Sequence, residues 1–141
     1  MIDTVVIATD GSESVERAVD VALDLARRFD AAVHALYVVD ESDVDSSPES
    51  IRDDLKAALE ETGEDALAAV RERADRGVEP VVREGRPAVE ICEYARENDV
   101  DVVATGTRGR HGENRFLVGS VAEHVVRSCP VPVLTVRQLT E

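Results

Sequence analysis

Lysine and aromatic side chains are scarce in this sequence. Its basic residues are fifteen arginines and one lysine, Lys56, and it contains two phenylalanines, two tyrosines and no tryptophan. A flavin site usually stacks aromatic rings on its cofactor, so such a site is poorly supported. A phosphate-binding P-loop needs Gly-Lys-Ser/Thr, and a phosphoacceptor receiver domain needs a late lysine. The absence of lysine after position 56 argues against both.

Cysteine and long apolar runs are also scarce. Cys92 and Cys129 lie far apart without metal-ligand spacing, which favours two free thiols in a reducing cytoplasm over a structural pair. The three histidines show no ligand spacing either, so we expect no dedicated metal site. No apolar segment approaches a membrane-spanning length, and the opening residues, MIDTVVIATD, predict a strand rather than a signal peptide. We therefore expect a soluble, cytoplasmic protein.

The charge balance is strongly acidic, with 30 acidic and 16 basic residues and a net charge of −14. Such a chain would repel phosphate backbones and anionic lipid, which argues against nucleic-acid and membrane partners. Abundant carboxylates, small apolar residues and almost no lysine are typical of a halophilic protein. In high salt the Debye length is short, so the repulsion between the carboxylates is screened. The alternative is an ordinary acidic cytoplasmic protein.

The hydrophobic pattern predicts one domain over residues 1–141, since this length suits a single compact core. Apolar, β-branched runs alternate with helical patterns along the whole chain. The strands are predicted at 4–9, 32–39, 78–83, 101–105 and 131–136, and the helices begin at Ser12, Pro48, Pro87 and Gly119-Ser120. The second helix runs to about Asp75, with a bend or an interruption expected at Thr62-Gly63, and a polar loop covers 40–47. This alternation predicts an α/β fold with a parallel sheet and helices on both faces.

Three segments are expected to meet at the carboxyl edge of this sheet, where open α/β folds bind their ligands. They are Thr9-Asp10-Gly11 after the first strand, Val38-Val39-Asp40 after the second, and the chain from Gly106 after the fourth. Asp10 is therefore a candidate ligand contact, although a simple turn former would also place an aspartate there.

The segment GTRGRHGENRFLVGS, residues 106–120, concentrates glycine and positive charge. Three arginines against one acid, Glu113, give it +2 within a chain of −14. Gly106 and Gly109 permit a close backbone approach, and Gly119-Ser120-Val121 opens a helix whose unpaired N–H groups favour an anion. A phosphate-bearing small molecule explains both features. The alternative is an ordinary surface loop whose arginines pair with surface acids.

The spacing Gly106-x2-Gly109-x9-Gly119-Ser120 resembles the nucleotide-binding motif of the ATP-binding branch of the universal stress protein family. The likeness covers nearly the whole chain, including the stretches VVIATDGS, YVVDE and PVPVLTV. The resemblance implies a Rossmann-like fold of the adenine nucleotide alpha hydrolase type, with a five-stranded parallel sheet in the order 3-2-1-4-5.

The resemblance also implies a ligand, ATP with Mg²⁺, and a role for each matching residue. Gly109, Gly119 and Ser120 would hold the phosphates, and Asp10 would lie near the ribose and any divalent ion. The remaining contacts would be the main chain at Val38 for adenine, Thr105 and Gly106 beside the sugar, Arg110 after the first phosphate glycine, and the backbone of Val121 at the phosphates. Thr9 completes the expected site.

Two functional classes follow from the resemblance. One is a nucleotide-binding regulatory module of the stress response, and the other is a slow ATP hydrolase that uses the same site. Hydrolysis needs a positioned base, and no candidate beyond Asp10 is evident, which favours the regulatory module. The family also pairs the last strands of two chains, which implies a homodimer through Val131–Val136. The alternative is a monomer whose edge strand is capped.

Overall fold

The structure is a computed structural model that describes residues 1–107 and 119–139. In this part of the chain five strands alternate with five helices. The elements are β1 (Thr4–Ala8), α1 (Glu16–Phe29), β2 (Ala32–Asp40), α2 (Glu41–Asp45), α3 (Arg52–Arg73), β3 (Val78–Gly85), α4 (Pro87–Glu97), β4 (Val102–Gly106), α5 (Ser120–Ser128) and β5 (Val133–Val136). Short 3₁₀ turns, Glu13–Val15 and Glu49–Ile51, precede α1 and α3.

The described strands form one parallel sheet in the order β3-β2-β1-β4-β5. This confirms the predicted order 3-2-1-4-5. β1 lies at the centre, where Val5, Val6 and Ile7 have no solvent exposure. A strand with a neighbour on each side and helices on both faces is buried throughout, so its sequence is continuously apolar instead of alternating.

Helices cover both faces of the sheet, as predicted. Val5 and Ile7 belong to a core cluster that includes residues of α1 and α3, whereas Val6 belongs to a second cluster with residues of α4 and α5. Successive side chains of a strand point to opposite faces. The central strand therefore supplies both halves of the core.

Two local predictions were wrong between β2 and the end of α3. Segment 40–47 contains α2 instead of being a loop only, because the side chain of Asp40 accepts a hydrogen bond from the Ser42 N–H and caps this helix. α3 begins at Arg52, after a 3₁₀ turn, and continues through Thr62-Gly63 without interruption. Gly63 is buried against the ring of Tyr37, so this glycine serves helix–sheet packing.

Strand and core boundaries also differ from the prediction. β1 ends at Ala8, β3 extends to Gly85, and β5 begins at Val133 instead of 131. The helical spacing of the apolar residues predicts that Phe29 and Ile51 face the core, but they are 43% and 47% exposed. Phe29 is the last residue of α1 and Ile51 lies in the turn before α3, so neither is covered by the sheet.

The described residues after β5 run back against the first turn of α1. The Arg17 main-chain N–H donates to Gln138 Oε1, and its guanidinium donates to the Arg137 carbonyl, both at 2.9 Å. These bonds fix the end of the edge strand to a helix on one face of the sheet. Among the described helices none is both long and apolar enough to span a lipid bilayer.

Candidate functional site

The structure brings the predicted residues of three strands to one edge of the sheet. β1 pairs with β2 up to Ala8 and Leu36, and it pairs with β4 up to Ile7 and Ala104. Because the strands are parallel, their carboxyl ends lie at the same edge. The residues at that edge are Thr9 and Asp10 after β1, Val38 in β2, and Thr105 and Gly106 at the end of β4.

Val38 lies beyond the end of the neighbouring strand. The Thr9 N–H donates to the Leu36 carbonyl at 3.0 Å, which shows that the main chain of Leu36 faces β1. Main-chain polar groups alternate sides along a strand, so those of Val38, two residues later, face the same side. β1 ends at Ala8, so these groups face the space beyond its last residue. A planar ring that carries its own hydrogen-bond donor and acceptor could pair with the main-chain N–H and C=O groups of Val38.

Asp10 is held by a tight turn after β1. Its Oδ1 accepts hydrogen bonds from the Ser12 N–H at 2.9 Å and from the Ser12 hydroxyl at 2.6 Å. Gly11 adopts a φ of +81°, a left-handed conformation that suits glycine, and its N–H donates to Thr9 Oγ1 at 3.1 Å. Turn chemistry predicts Ser12 as a helix N-cap, and Ser12 does occupy the N-cap position of the 3₁₀ turn Glu13–Val15, but its side chain makes no capping hydrogen bond and its hydroxyl donates to Asp10.

The two threonines of the site are buried polar residues, 7% exposed at Thr9 and 8% at Thr105. Thr9 Oγ1 accepts from Gly11, and Thr105 Oγ1 donates to the Gly106 carbonyl at 3.3 Å. Both hydroxyls therefore have a hydrogen-bond partner within two residues along the chain. Thr9 directly follows β1, and Thr105 lies in β4.

The amino end of α5 lies beside the end of β4. The Gly119 N–H donates to the carbonyl of Thr107, which directly follows β4. Gly119 occupies the N-cap position, where it offers no side chain to cap the helix, and Ser120 is the first helical residue. The first N–H groups of a helix lack partners within it and carry partial positive charge. This end of the helix therefore suits an anion at the edge of the sheet.

Ser120 and Val121 lie in the first turn of α5, and both are exposed, Val121 to 37%. The predicted phosphate contacts Gly109 and Arg110 lie outside the described residues, as do Arg108 and Arg115. The structure therefore brings together Thr9, Asp10, Val38, Thr105, Gly106 and the Gly119–Val121 turn.

These features of the chain match a known family of proteins. The model of the Universal stress protein family matches residues 1–137, which is almost the full length. The chain belongs to the universal stress protein family. Universal stress protein MJ0531 of Methanocaldococcus jannaschii is 38% identical over 138 residues, which cover 95% of this chain and 81% of that protein.

Solved structures of universal stress proteins have the same fold. UspA from Lactobacillus plantarum superposes with a TM-score of 0.81 at 26% identity, covering 96% of this chain and 97% of that one. A universal stress protein crystallised in complex with cAMP gives a TM-score of 0.73 at 27% identity, covering 97% and 98% of the two chains. Their Rossmann-like α/β architecture is the one described above.

One feature of this universal stress protein was missed from the sequence. Asp10 lies two residues after the end of β1, and Asp40 is the last residue of the neighbouring strand β2. Each is followed two residues later by a serine whose N–H and hydroxyl both donate to its Oδ1. The repeated Asp-x-Ser pattern at two strand ends was the available signal. It was interpreted as turn chemistry in one case and as part of a loop in the other, although an aspartate readily bonds its own backbone two residues on.

Proposed function

We propose that this universal stress protein is a cytoplasmic, nucleotide-binding regulatory module that binds an adenine nucleotide, with ATP as the expected ligand. The observation that carries the proposal is the position of two complementary groups at one edge. The main chain of Val38 faces the space beyond β1, and the uncapped amino end of α5 lies beside β4. The family membership and the complex of a related universal stress protein with cAMP support an adenine nucleotide there.

Each part of the nucleotide has a suitable partner at this edge. Adenine would pair with the main chain of Val38, and the sugar would lie between Asp10 and the end of β4 at Thr105-Gly106. The phosphates would accept hydrogen bonds from the N–H groups of the Gly119–Val121 turn, where the helix dipole favours negative charge. Gly109 and Arg110 would complete the phosphate contacts, since guanidinium groups bind phosphate strongly.

A Mg²⁺ ion would enter with the triphosphate. Mg²⁺ is usually held by one or two carboxylates together with substrate phosphates and water, and Asp10 is the carboxylate at this edge that suits it. Residues 1–107 and 119–139 contain no group of three or more histidine, cysteine, aspartate or glutamate side chains arranged around a common point. The phosphates and water would therefore supply most of the ligands of the ion.

The regulatory module would be a homodimer that pairs through segment 131–136. β5 lies at one edge of the sheet, and its Val133, Leu134 and Thr135 are only half-buried. A short apolar edge strand suits pairing with a second copy. The hydrogen bonds from Arg17 hold Arg137 and Gln138, which follow β5, against α1. Sedimentation at high salt should show a dimer, and a strictly monomeric species would contradict this part of the proposal.

The alternative function is slow ATP hydrolysis at the same site. Hydrolysis requires a base that orients the attacking water, and Asp10 is the candidate. Incubation with labelled ATP and Mg²⁺ separates the two functions. The regulatory proposal predicts that ATP is retained without product, whereas turnover that disappears in Asp10→Ala would show an enzyme.

Mass spectrometry of the small molecule that copurifies with the native protein tests the ligand. We expect an adenine nucleotide at a ratio approaching one per chain. The variant Gly119→Val, purified in parallel, serves as the matched control and should carry none. A different class of molecule, retained equally by both proteins, would refute the proposed ligand.

A further inference from the structure

We infer that Ser12 positions the carboxylate of Asp10 so that its Oδ2 accepts a hydrogen bond from a sugar hydroxyl of the bound nucleotide. The inference rests on the proposed function and assigns a role to a serine outside the glycine motif. Ser12 is a positioning residue, because it acts through Asp10 and not through contact with the ligand.

The hydroxyl of Ser12 donates its proton to Asp10. The Ser12 hydroxyl donates to Asp10 Oδ1 at 2.6 Å, and its oxygen lies 2.8 Å from Ser14 Oγ. A hydroxyl has only one proton to donate. Since that proton of Ser12 goes to Asp10, the Ser12 oxygen can act only as an acceptor toward Ser14.

The backbone of this turn cannot easily rearrange. Gly11 holds a φ of +81°, and a Cβ at this position would lie 3.2 Å from Ala66 Cβ on α3. The Ser12 N–H also donates to Asp10 Oδ1, at 2.9 Å. The turn is therefore fixed by its own hydrogen bonds and by the helix packed beside it, and the direction of the Asp10 side chain is set by Ser12.

This arrangement uses the two carboxylate oxygens of Asp10 differently. Oδ1 already accepts two donors from Ser12, whereas Oδ2 accepts no hydrogen bond from any residue in the described part of the chain. An ionised carboxylate is an acceptor only, with two lone-pair sites on each oxygen. Oδ2 is thus the atom available to a hydroxyl donor. The proposed function places the sugar beside Asp10, so we assign a sugar hydroxyl as the donor to Oδ2.

Asp40 provides a matched internal control. Its Oδ1 accepts from the Ser42 N–H at 3.0 Å and from the Ser42 hydroxyl at 2.7 Å, which reproduces the arrangement at Asp10. This carboxylate caps α2. Ser42→Ala therefore removes an equivalent hydroxyl bond at the same sheet edge without altering the orientation of Asp10.

The test compares dissociation constants for ATP, 2′-deoxy-ATP and 3′-deoxy-ATP, measured by calorimetry on the full chain. For the native protein, the dissociation constant of at least one deoxy analogue should exceed that of ATP by about tenfold. This ratio is typical for the loss of a hydrogen bond to a charged group. Asp10→Ala should abolish this preference. Ser12→Ala should reduce it by about threefold, because the Ser12 N–H still holds Oδ1. Ser12→Thr, which keeps a hydroxyl, should retain the native preference for ATP, and Ser42→Ala should leave this preference unchanged.

The ratio of the two affinities distinguishes positioning from a purely structural role. A structural effect of Ser12→Ala would weaken ATP and deoxy-ATP by the same factor and leave the ratio unchanged, which would overturn the inference while the proposed function stands. A preference that survives Asp10→Ala would also overturn it. If the native protein binds no adenine nucleotide, both the inference and the proposed function fail. Thermal unfolding shows whether each variant is folded. If Ser12→Ala is not folded, Ser12→Thr, which keeps the hydroxyl, still tests the inference.

Discussion

The ring of Tyr37 lies directly against the backbone of Gly63. A Cβ built on Gly63 would come within 2.8 Å of Tyr37 Cε2 and 2.9 Å of Cγ. Tyr37 is 1% exposed, and it directly precedes Val38 in β2. The missing side chain in α3 therefore lets the helix approach the strand that carries the proposed adenine contact.

Replacement of Gly63 by alanine should destabilise the protein, although alanine is the better helix former by about 1 kcal/mol. The new methyl group would collide with the ring of Tyr37, which is 1% exposed. Overpacking of this kind typically costs about 1–3 kcal/mol, so after subtraction of the gain in helix propensity we expect the free energy of unfolding to fall by up to about 2 kcal/mol. Urea denaturation measures the free energy of unfolding. Gly77→Ala is the control, since no atom lies within 4 Å of the position that its Cβ would occupy. Equal stability of both variants would contradict the packing.

Asp101 should make stability depend on acid pH. Hydrogen bonds from the main-chain N–H groups of Asp3 and Thr4, at 2.8 and 2.9 Å, lower the pKa of its carboxyl group. A carboxyl whose pKa is lower in the folded state stabilises the protein above its unfolded pKa, and this contribution disappears as the pH falls through the folded value. Asp101→Asn should therefore be less stable than the native protein at pH 7, and the difference should shrink in acid.

Chemical denaturation at several pH values between 7 and 3 tests this expectation. Asp75→Asn is a suitable control, because Asp75 is exposed and makes no hydrogen bond or ion pair within the described residues. A constant difference between Asp101→Asn and the native protein over this range would show that the two hydrogen bonds do not favour the ionised carboxylate.

Cys92 should be unreactive in the folded protein. Burial raises the pKa of its thiol to about 12, and the neighbouring thiol of Cys129 acts in the same direction. The thiolate is the reactive form, so at pH 8 alkylation should be about a thousandfold slower than in the unfolded chain, where the pKa is about 8.5. Peptide mass spectrometry after iodoacetamide treatment, with and without urea, measures this. Native labelling of Cys92 at the unfolded rate would exclude the buried position.

The acidic surface should make stability depend on salt. A net charge of −14 produces self-repulsion that is screened as the Debye length falls from about 8 Å at 0.15 M to about 3 Å at 1 M. We expect the melting temperature to rise between 0.15 and 2 M KCl. Choline chloride at the same ionic strength should give a similar rise if screening is the cause. A melting temperature that is constant or falls with salt would argue against adaptation to high salt.

The order of the sheet and the position of the strand ends could be predicted because they depend on long, regular patterns. The run from Val5 to Ile7 is apolar at every position, and burial on both faces is the reason. Local details depend on contacts that no pattern shows. Gly63 resembled a helix breaker, and only the ring of Tyr37, 26 positions earlier in the sequence, explains why it lies inside a continuous helix.

The site was partly predictable for a similar reason. Asp10 follows β1, and Val38 and Gly106 lie near the carboxyl ends of β2 and β4, so the alternation of strands and helices predicts that they share one edge of the sheet. The role of Ser12 could not be deduced in the same way. A serine two residues after an aspartate can cap the next helix or bond back to the carboxylate, and the choice depends on the backbone conformation that Gly11 permits.

The most direct test of the proposed phosphate site is a calorimetric titration with ATP and Mg²⁺ in molar KCl, on the native protein and on Gly119→Val. Gly119 has a φ of −65° and a ψ of 158°, which valine also adopts, so the variant should fold while its side chain stands at the amino end of α5. We predict saturable binding of one nucleotide per chain that is lost in the variant. Absence of binding to the native protein, or equal affinity of both proteins, would contradict this site.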